Sequence, residues 1–324
     1  MESLIKIVLS FIYGFFVRFR FFLYKSKILK KKTLPVKVIC IGNITAGGTG
    51  KTSAVIYFAK YLSSKNFKVA VLSRGYKRKE TTKKIPVIVS DGKSILTSVE
   101  YSGDEPYLVA ENLLGVPVIV CSNRYLAGKI AIEKFATDIL LMDDGFQHWK
   151  LNRNLDIVLI DCLNPFSNGF LLPAGLLREP LSSLNRADIF ILTNSNFVSD
   201  EEKNRIVSKI KRYNETAPIY FAFHKPLYFV RLSSGEMLDL SFVKDKEIIS
   251  LSSIGNPISF EKTLETIGAI ISKRIRFPDH HWFTIDEIIK ILENNIYIVT
   301  TEKDAVRIKN LFIEKKDILE MIIF

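Results

Sequence analysis

The sequence predicts an α/β fold: a mostly parallel sheet with helices on both faces, followed by a smaller C-terminal α/β lobe. Continuous apolar runs at Val69–Leu72, Val116–Cys121, Ile139–Met142, Ile157–Ile160 and Ile189–Thr193 alternate with helical stretches. Strands without polar alternation are covered on both faces, which is the mark of a parallel sheet. Polar clusters follow the strand ends, with Arg74, Asp143 and Asp144, and Asp161 placed where such sheets carry their sites. A length of 324 residues, 48% hydrophobic and 11% aromatic, supports two lobes and argues against a disordered chain.

The first strand carries the most specific signal. Residues 36–53, VKVICIGNITAGGTGKTS, run from β-branched residues through glycines into Gly-Lys-Thr. A strand turning through glycines into a helix presents a row of backbone N–H groups that cradle phosphates. This makes the fold P-loop NTPase-like, with Thr45, Ala46, Gly47, Gly48, Thr49, Gly50, Lys51 and Thr52 as the nucleotide-binding segment. Lys51 reaches the β- and γ-phosphates and Thr52 ligates Mg²⁺. Thr45 stands where the usual loop has glycine, while Gly47, Gly48 and Gly50 keep the backbone freedom that close approach requires. A nucleoside triphosphate with Mg²⁺ is the expected ligand, the base being left open by the loop itself.

The N-terminus has a different character. Leu4, Ile5, Val8, Leu9, Ile12, Phe15, Phe16, Phe19, Phe22 and Leu23 recur at helical spacing, and the first 32 residues carry eight Lys or Arg against Glu2. The longest uncharged run, Ile7 to Val17, is short for a bilayer crossing of about 20 residues. A helix lying in the membrane interface, with cations meeting an anionic lipid surface, fits better. A signal peptide is disfavoured because the basic residues follow the apolar run and no small-residue cleavage site succeeds it. Phenylalanines on an apolar stripe do not make a stacking groove, so nucleic acid is not the expected partner. Cys40, Cys121 and Cys162 lack ligand spacing and read as small buried residues.

Downstream, residues 218–240 alternate aromatic and polar residues around a turn, as an antiparallel hairpin between lobes would. Strands near Ile248–Ser252, Ile270–Phe277 and Ile296–Thr301, and helices from about Ser259 and Ile285, complete the expected C-terminal lobe. The predicted organisation is therefore an anchoring helix at 1–32, a P-loop core at 33–217, the hairpin at 218–240 and the lobe at 241–324.

The run Asp143-Asp144-Gly145-Phe146-Gln147-His148 follows a buried strand, where a nucleotide site places a carboxylate for Mg²⁺. Asp143 is the favoured ligand, although alternation alone does not choose between it and Asp144. A lone histidine in a polar turn, as at His148, is commonly a hydrogen-bonded structural residue. Thr300-Thr301-Glu302-Lys303-Asp304 has the form of a base-reading element, and Lys303 and Asp304 suit either base contacts or a helix cap.

In order, GNITAGGTGKTS, SRGYKRK (73–79), GDEP (103–106), DDGFQH (143–148), LPAGLLREP (172–180) and FPDHH (277–281), after a short hydrophobic helix, resemble the tetraacyldisaccharide 4′-kinase family of lipid A biosynthesis. The resemblance spans nearly the whole chain. It implies transfer of the γ-phosphate of ATP to the 4′-hydroxyl of a tetraacylated disaccharide 1-phosphate, at the cytoplasmic face of the inner membrane. It implies Asp104 as the catalytic acid–base residue paired with His280, acting with Lys51. Glu105 is a further Mg²⁺ candidate, or simply an acid at a helix start. Arg74, Lys77, Arg78 and Arg178 suit the lipid phosphate or headgroups, since guanidinium binds phosphate bidentately. Asp144, Gln147, His148 and Tyr76 complete the candidate substrate set, Tyr76 being equally suited to packing. The competing readings are a membrane-associated P-loop GTPase switch, which leaves GDEP and FPDHH without a purpose, and a nucleotide-regulated membrane-binding module without catalysis.

Overall fold

The structure is a computed structural model that describes residues 2–76, 78–79, 85–292, 296–312 and 316–324. The chain folds as two units, Met1–Phe223 and His224–Phe324.

The first unit begins with helix α1 (Glu2–Lys25) and continues through β1 (Lys37–Asn43), α2 (Lys51–Ser64), β2 (Val69–Ser73), β3 (Val87–Ser90), α3 (Val99–Ser102), α4 (Asp104–Asn112), β4 (Val118–Val120), α5 (Arg124–Phe135), β5 (Ile139–Asp143), β6 (Leu155–Asp161), β7 (Ile189–Thr193), α6 (Asp200–Lys211) and β8 (Ile219–Phe221). The eight strands form one sheet in the order β3-β4-β2-β5-β1-β6-β7-β8. Every pairing is parallel except β3 with β4.

The apolar runs face helices on both sides. Val55, Ala59, Val109 and Ala110 from α2 and α4 pack on one face with Ile41, Val71, Leu141 and Leu159. Ala127, Ala131, Ile206 and Ile210 from α5 and α6 pack on the other with Cys40, Leu72, Leu140 and Ile160. Alternate residues of β1, β2, β5 and β6 thus serve opposite cores, which is why these strands show no polar alternation. Cys40, Cys121 and Cys162 are free and buried. Helix α6 starts on a capping box, with Ser199 Oγ accepting from Glu202 N and Glu202 Oε2 accepting from Ser199 N.

Helix α1 is long and apolar enough to cross a membrane by length and composition over Leu4–Lys25. Leu4, Val8, Phe11, Phe15, Phe16, Phe19 and Phe22 are exposed. Its C-terminal end is seated on the unit through Phe21 and Tyr24, whose rings lie 5.0 and 6.0 Å from that of Trp149.

The second unit contains β9 (Phe229–Val230), β10 (Met237–Leu238), β11 (Glu247–Ser252), α7 (Pro257–Thr266), β12 (Ile270–Arg276), α8 (Ile285–Leu292), β13 (Tyr297–Thr300), α9 (Glu302–Lys309) and β14 (Ile322–Ile323). A parallel sheet of order β12-β11-β13-β14 is covered on both faces. The linker expected at 218–240 divides differently. Ile219–Phe221 joins the large sheet parallel to β7, and only Phe229–Val230 with Met237–Leu238 forms the antiparallel hairpin. Tyr220 and Phe221 are exposed because β8 is an edge strand, and that exposure produced the alternation read as a hairpin.

Candidate active site

Adjacent strands β1 and β5 end side by side, with Ile41 paired to Asp143, so the glycine loop and the acidic pair share one end of the sheet. Between β1 and α2 the chain turns through Gly47 (φ 110°) and Gly50 (φ 80°), and Gly50 precedes α2 in a left-handed conformation open chiefly to glycine. This aims the free N–H groups of the first turn of α2 out of the loop. Asn43 Nδ2 donates to Thr45 O (2.8 Å), and Thr193 Oγ1 donates to Thr49 O (3.2 Å). Thr49 Oγ1 is buried with no protein partner among the described residues. Such an orphaned hydroxyl in a glycine-built cradle fits a loop whose missing partners are phosphate oxygens. Ala46 differs from its neighbours, because its N–H is already taken by Leu176 O at 2.7 Å.

Lys51 Nζ lies 3.7 Å from Asp144 Oδ1, and Arg178 Nη1 donates to both carboxylate oxygens of Asp144 at 2.8 Å. Burial alone would raise the Asp144 carboxyl; Lys51 and then Arg178 more than reverse this and hold it at about 2. Asp144 adopts φ 47°, and its side chain is 33% exposed, against 11% for Lys51. Asp143 has the opposite surroundings. Its carboxylate is buried and accepts from Ser73 Oγ at 3.0 Å. Burial, then the charges of Glu105 and Asp144, push its carboxyl well above the usual carboxylate range. A buried acid flanked by acids is a place where a divalent cation relieves repulsion. Among the described residues no group of three or more His, Cys, Asp or Glu is arranged to hold a metal unaided. The buried Asp143 carboxylate, beside two other acids, nonetheless fits a cation.

Two further residues belong here that the sequence reading left out. Ser73 closes β2 directly beside Asp143, and Arg124 opens α5 after β4 with its guanidinium buried. Burial lowers Arg124 to about 10 against the pull of Asp143 and Asp144, and its Nη1 donates to Cys121 O at 3.1 Å. Position at a strand end was the signal available for both.

Asp104 is the first residue of α4, 5% exposed, with Oδ1 accepting from Glu105 N at 2.9 Å. Gly103 before it has φ 89°, and a Cβ there would stand 3.0 Å from Tyr76 O. SRGY and GDEP are thus packed backbone to backbone, which explains their joint appearance. Arg74 and Tyr76 are exposed. Arg78 is 4% exposed, so it is a buried residue and not part of the open basic surface that the sequence suggested; Lys77 lies outside the described residues. Gln147 Nε2 donates to Asn43 O (2.9 Å), and His148 is pushed down to about 3 by burial and then by Arg124 and Arg153.

In the second unit His280 adopts φ 62°, and its N–H donates to Ser253 O at 3.2 Å. Lys303 Nζ lies 3.4 Å from His280 Nε2 and 3.5 Å from Asp279 Oδ1. His281 is held by Glu287 (3.1 Å) and stacks on Phe277. Asp304 is fully buried. Its carboxylate accepts from Ser253 N (2.9 Å), Ser253 Oγ (2.7 Å) and Thr301 Oγ1 (2.7 Å) and pairs with Arg307. Thr301 caps α9, so of the two roles open to Asp304 the structure assigns the helix start.

A sequence model described as tetraacyldisaccharide-1-P 4′-kinase (LpxK) matches residues 3–323. The chain is 42% identical over 314 residues to a tetraacyldisaccharide 4′-kinase of Halothermothrix orenii, covering 93% of this chain and 81% of the relative. It is 41% identical over 318 residues to that of Syntrophus aciditrophicus, covering 94% and 84%. A crystal structure of LpxK from Aquifex aeolicus in complex with ATP superposes with a TM-score of 0.75 at 34% identity, covering all of this chain and 93% of that one. The matches run through both units and all six motifs: the chain belongs to the tetraacyldisaccharide 4′-kinase family.

Proposed function

We propose that this enzyme transfers the γ-phosphate of ATP to the 4′-hydroxyl of a tetraacyldisaccharide 1-phosphate, working at the cytoplasmic face of the inner membrane. Family membership gives the reaction. The observation that carries the assignment of residues is the charge arrangement at the ends of β1 and β5, where Lys51 and Arg178 converge on Asp144 beside the buried Asp143.

Phosphoryl transfer asks little covalent chemistry of a protein and much positioning and charge neutralisation. The N–H groups from Gly47 to Thr52 would hold the triphosphate, and the Lys51 ammonium would neutralise its β- and γ-oxygens. Asp144, kept ionised by Arg178, in turn holds Lys51 in place. Thr52 and Asp143, with Glu105 as a further candidate, would hold Mg²⁺, which when bound would supply positive charge to the transferring group. Asp104 accepts the proton of the sugar hydroxyl, with His280 as its partner in dispersing that proton. Arg74, with Lys77 beyond the described residues, is the candidate for the lipid's 1-phosphate, since the Arg178 guanidinium is committed to Asp144; Tyr76, Gln147 and His148 are the candidates for the acceptor side.

A substrate with four acyl chains leaves a bilayer only at great cost, so the enzyme must come to it. Each exposed apolar side chain of α1 contributes ~1.5–3 kcal/mol on full burial, and each flanking cation about 1 kcal/mol near anionic lipid. The deciding experiment offers the purified full-length protein γ-labelled ATP or GTP with disaccharide lipid in detergent. Label in the lipid from ATP is expected; label released only as free phosphate marks a GTPase switch. Asp104→Ala should keep ATP binding and lose transfer, and near wild-type transfer would remove Asp104 from its role.

A further inference from the structure

Helix α1 is bonded into the structure that shapes the phosphate site. Ser10, buried although its helix is largely exposed, donates from Oγ to Leu171 O at 2.8 Å. One turn on, Tyr13 Oη donates to Arg178 O at 2.9 Å. The segment between these two carbonyls is a closed strap: Gly175 N donates to Leu171 O (3.0 Å), Leu172 N to Leu177 O (2.9 Å) and Leu177 N to Phe170 O (3.2 Å). Its far side is stitched to the start of the glycine loop, where Arg178 N donates to Ile44 O and Ala46 N to Leu176 O, both at 2.7 Å.

Arg178 is thus held at three points: its N–H on the loop, its carbonyl on Tyr13 and its guanidinium on Asp144, the partner of Lys51. A helix that only anchored the protein would need apolar burial and lipid contact. Two hydrogen bonds directed from its inner face at strap carbonyls, one at each end of the strap, serve a different purpose.

We propose that Tyr13, with Ser10, is a positioning residue for ATP: it fixes the strap, and through the Arg178 guanidinium sets the placement of Asp144 and Lys51. This rests on the reading that Lys51 and Asp144 work on the triphosphate. One consequence is that membrane seating of α1 and nucleotide grip are energetically linked, and such linkage is reciprocal.

The test compares Tyr13→Phe with wild type as full-length protein in detergent micelles, titrating a fluorescent ATP analogue and measuring kcat and KM for lipid. Loss of one hydrogen bond that positions a charged pair is expected to weaken ATP binding about fivefold to tenfold, with KM for lipid and melting temperature unchanged. In an Arg178→Ala background the same substitution should have little further effect, because the route to Asp144 is already cut. Unchanged ATP affinity, or an equal loss in both backgrounds, would overturn the proposal. Lys51→Ala separates the two levels: if it too leaves ATP affinity intact, the phosphate-site reading fails, whereas if it alone weakens binding, only the role of Tyr13 fails.

Discussion

Asp144 and Asp304 both sit in a polar run that follows a parallel strand of a covered sheet, and they are used in opposite ways. Asp304, after β13, is 0% exposed and its oxygens are satisfied within the second unit by Ser253, Thr301 and Arg307. Asp144, after β5, is partly open and shares two cations, while its neighbour Asp143 is buried and repelled by Glu105 and Asp144. Placement at a strand end therefore identifies a candidate site; whether the charge is already answered inside the fold separates chemistry from architecture.

The comparison breaks most visibly at Asp304. Asp304→Ala leaves Arg307 buried without its carboxylate and removes the acceptor for Ser253 N, so a loss of about 3–5 kcal/mol is expected. Denaturant unfolding of the full-length protein checks this, and a variant of normal stability but no activity would move Asp304 to the functional side. Lys51→Ala is the mirror case. Transfer to lipid should fall about 10²–10³-fold, as for loss of a preorganised charge stabiliser. The fold should hold, because the partner left behind, Asp144, keeps Arg178.

Much of the fold was legible because it is written in local pattern. Uninterrupted apolar runs located β2, β4, β5, β6 and β7, and glycine spacing located the phosphate loop. What was not legible depends on partners distant in sequence. Ser73 meets Asp143 across 70 residues and Ser253 meets Asp304 across 51, and no periodicity reports such pairs. Arg78 looked like one cation in an exposed basic run, yet it is buried where SRGY and GDEP interlock. The TEKD run carries the letters of a base-reading element, and only the position of Ser253 shows Asp304 facing inward. Ile219–Phe221 showed hairpin-like alternation because an edge strand is half exposed whichever way it pairs.

The histidines extend the contrast. His148 is held near 3 by burial and then by the charges of Arg124, Arg153 and Lys150, so in the folded enzyme it stays neutral at working pH. In the unfolded chain it takes up a proton below about 6.5. The unfolded state then binds more protons, so stability contributed by this residue is complete above pH 6.5 and is lost between 6.5 and about 3, at no more than about 1.4 kcal/mol per pH unit. His148→Gln should flatten that part of the stability–pH curve, as followed by urea unfolding at a series of pH values. An unchanged slope would mean that His148 is readily protonated in place, which would restore it as a candidate proton carrier.

The finest division falls inside the TEKD run itself. Asp304 faces the core of its unit, whereas Lys303, one residue earlier on α9, lies beside Asp279 and His280. Its ion pair with Asp279 is loose at 3.5 Å, with the Asp279 side chain 37% exposed, so Lys303→Met should change stability by less than about 1 kcal/mol. Lys303→Met also takes away the Nζ that stands 3.4 Å from the His280 ring nitrogen. With His280 acting in transfer, Lys303→Met should lower kcat, while the melting temperature stays near wild type. A stability loss comparable to that of Asp304→Ala would place Lys303 in the buried clasp, and the boundary between architecture and chemistry in this run would lie one residue earlier.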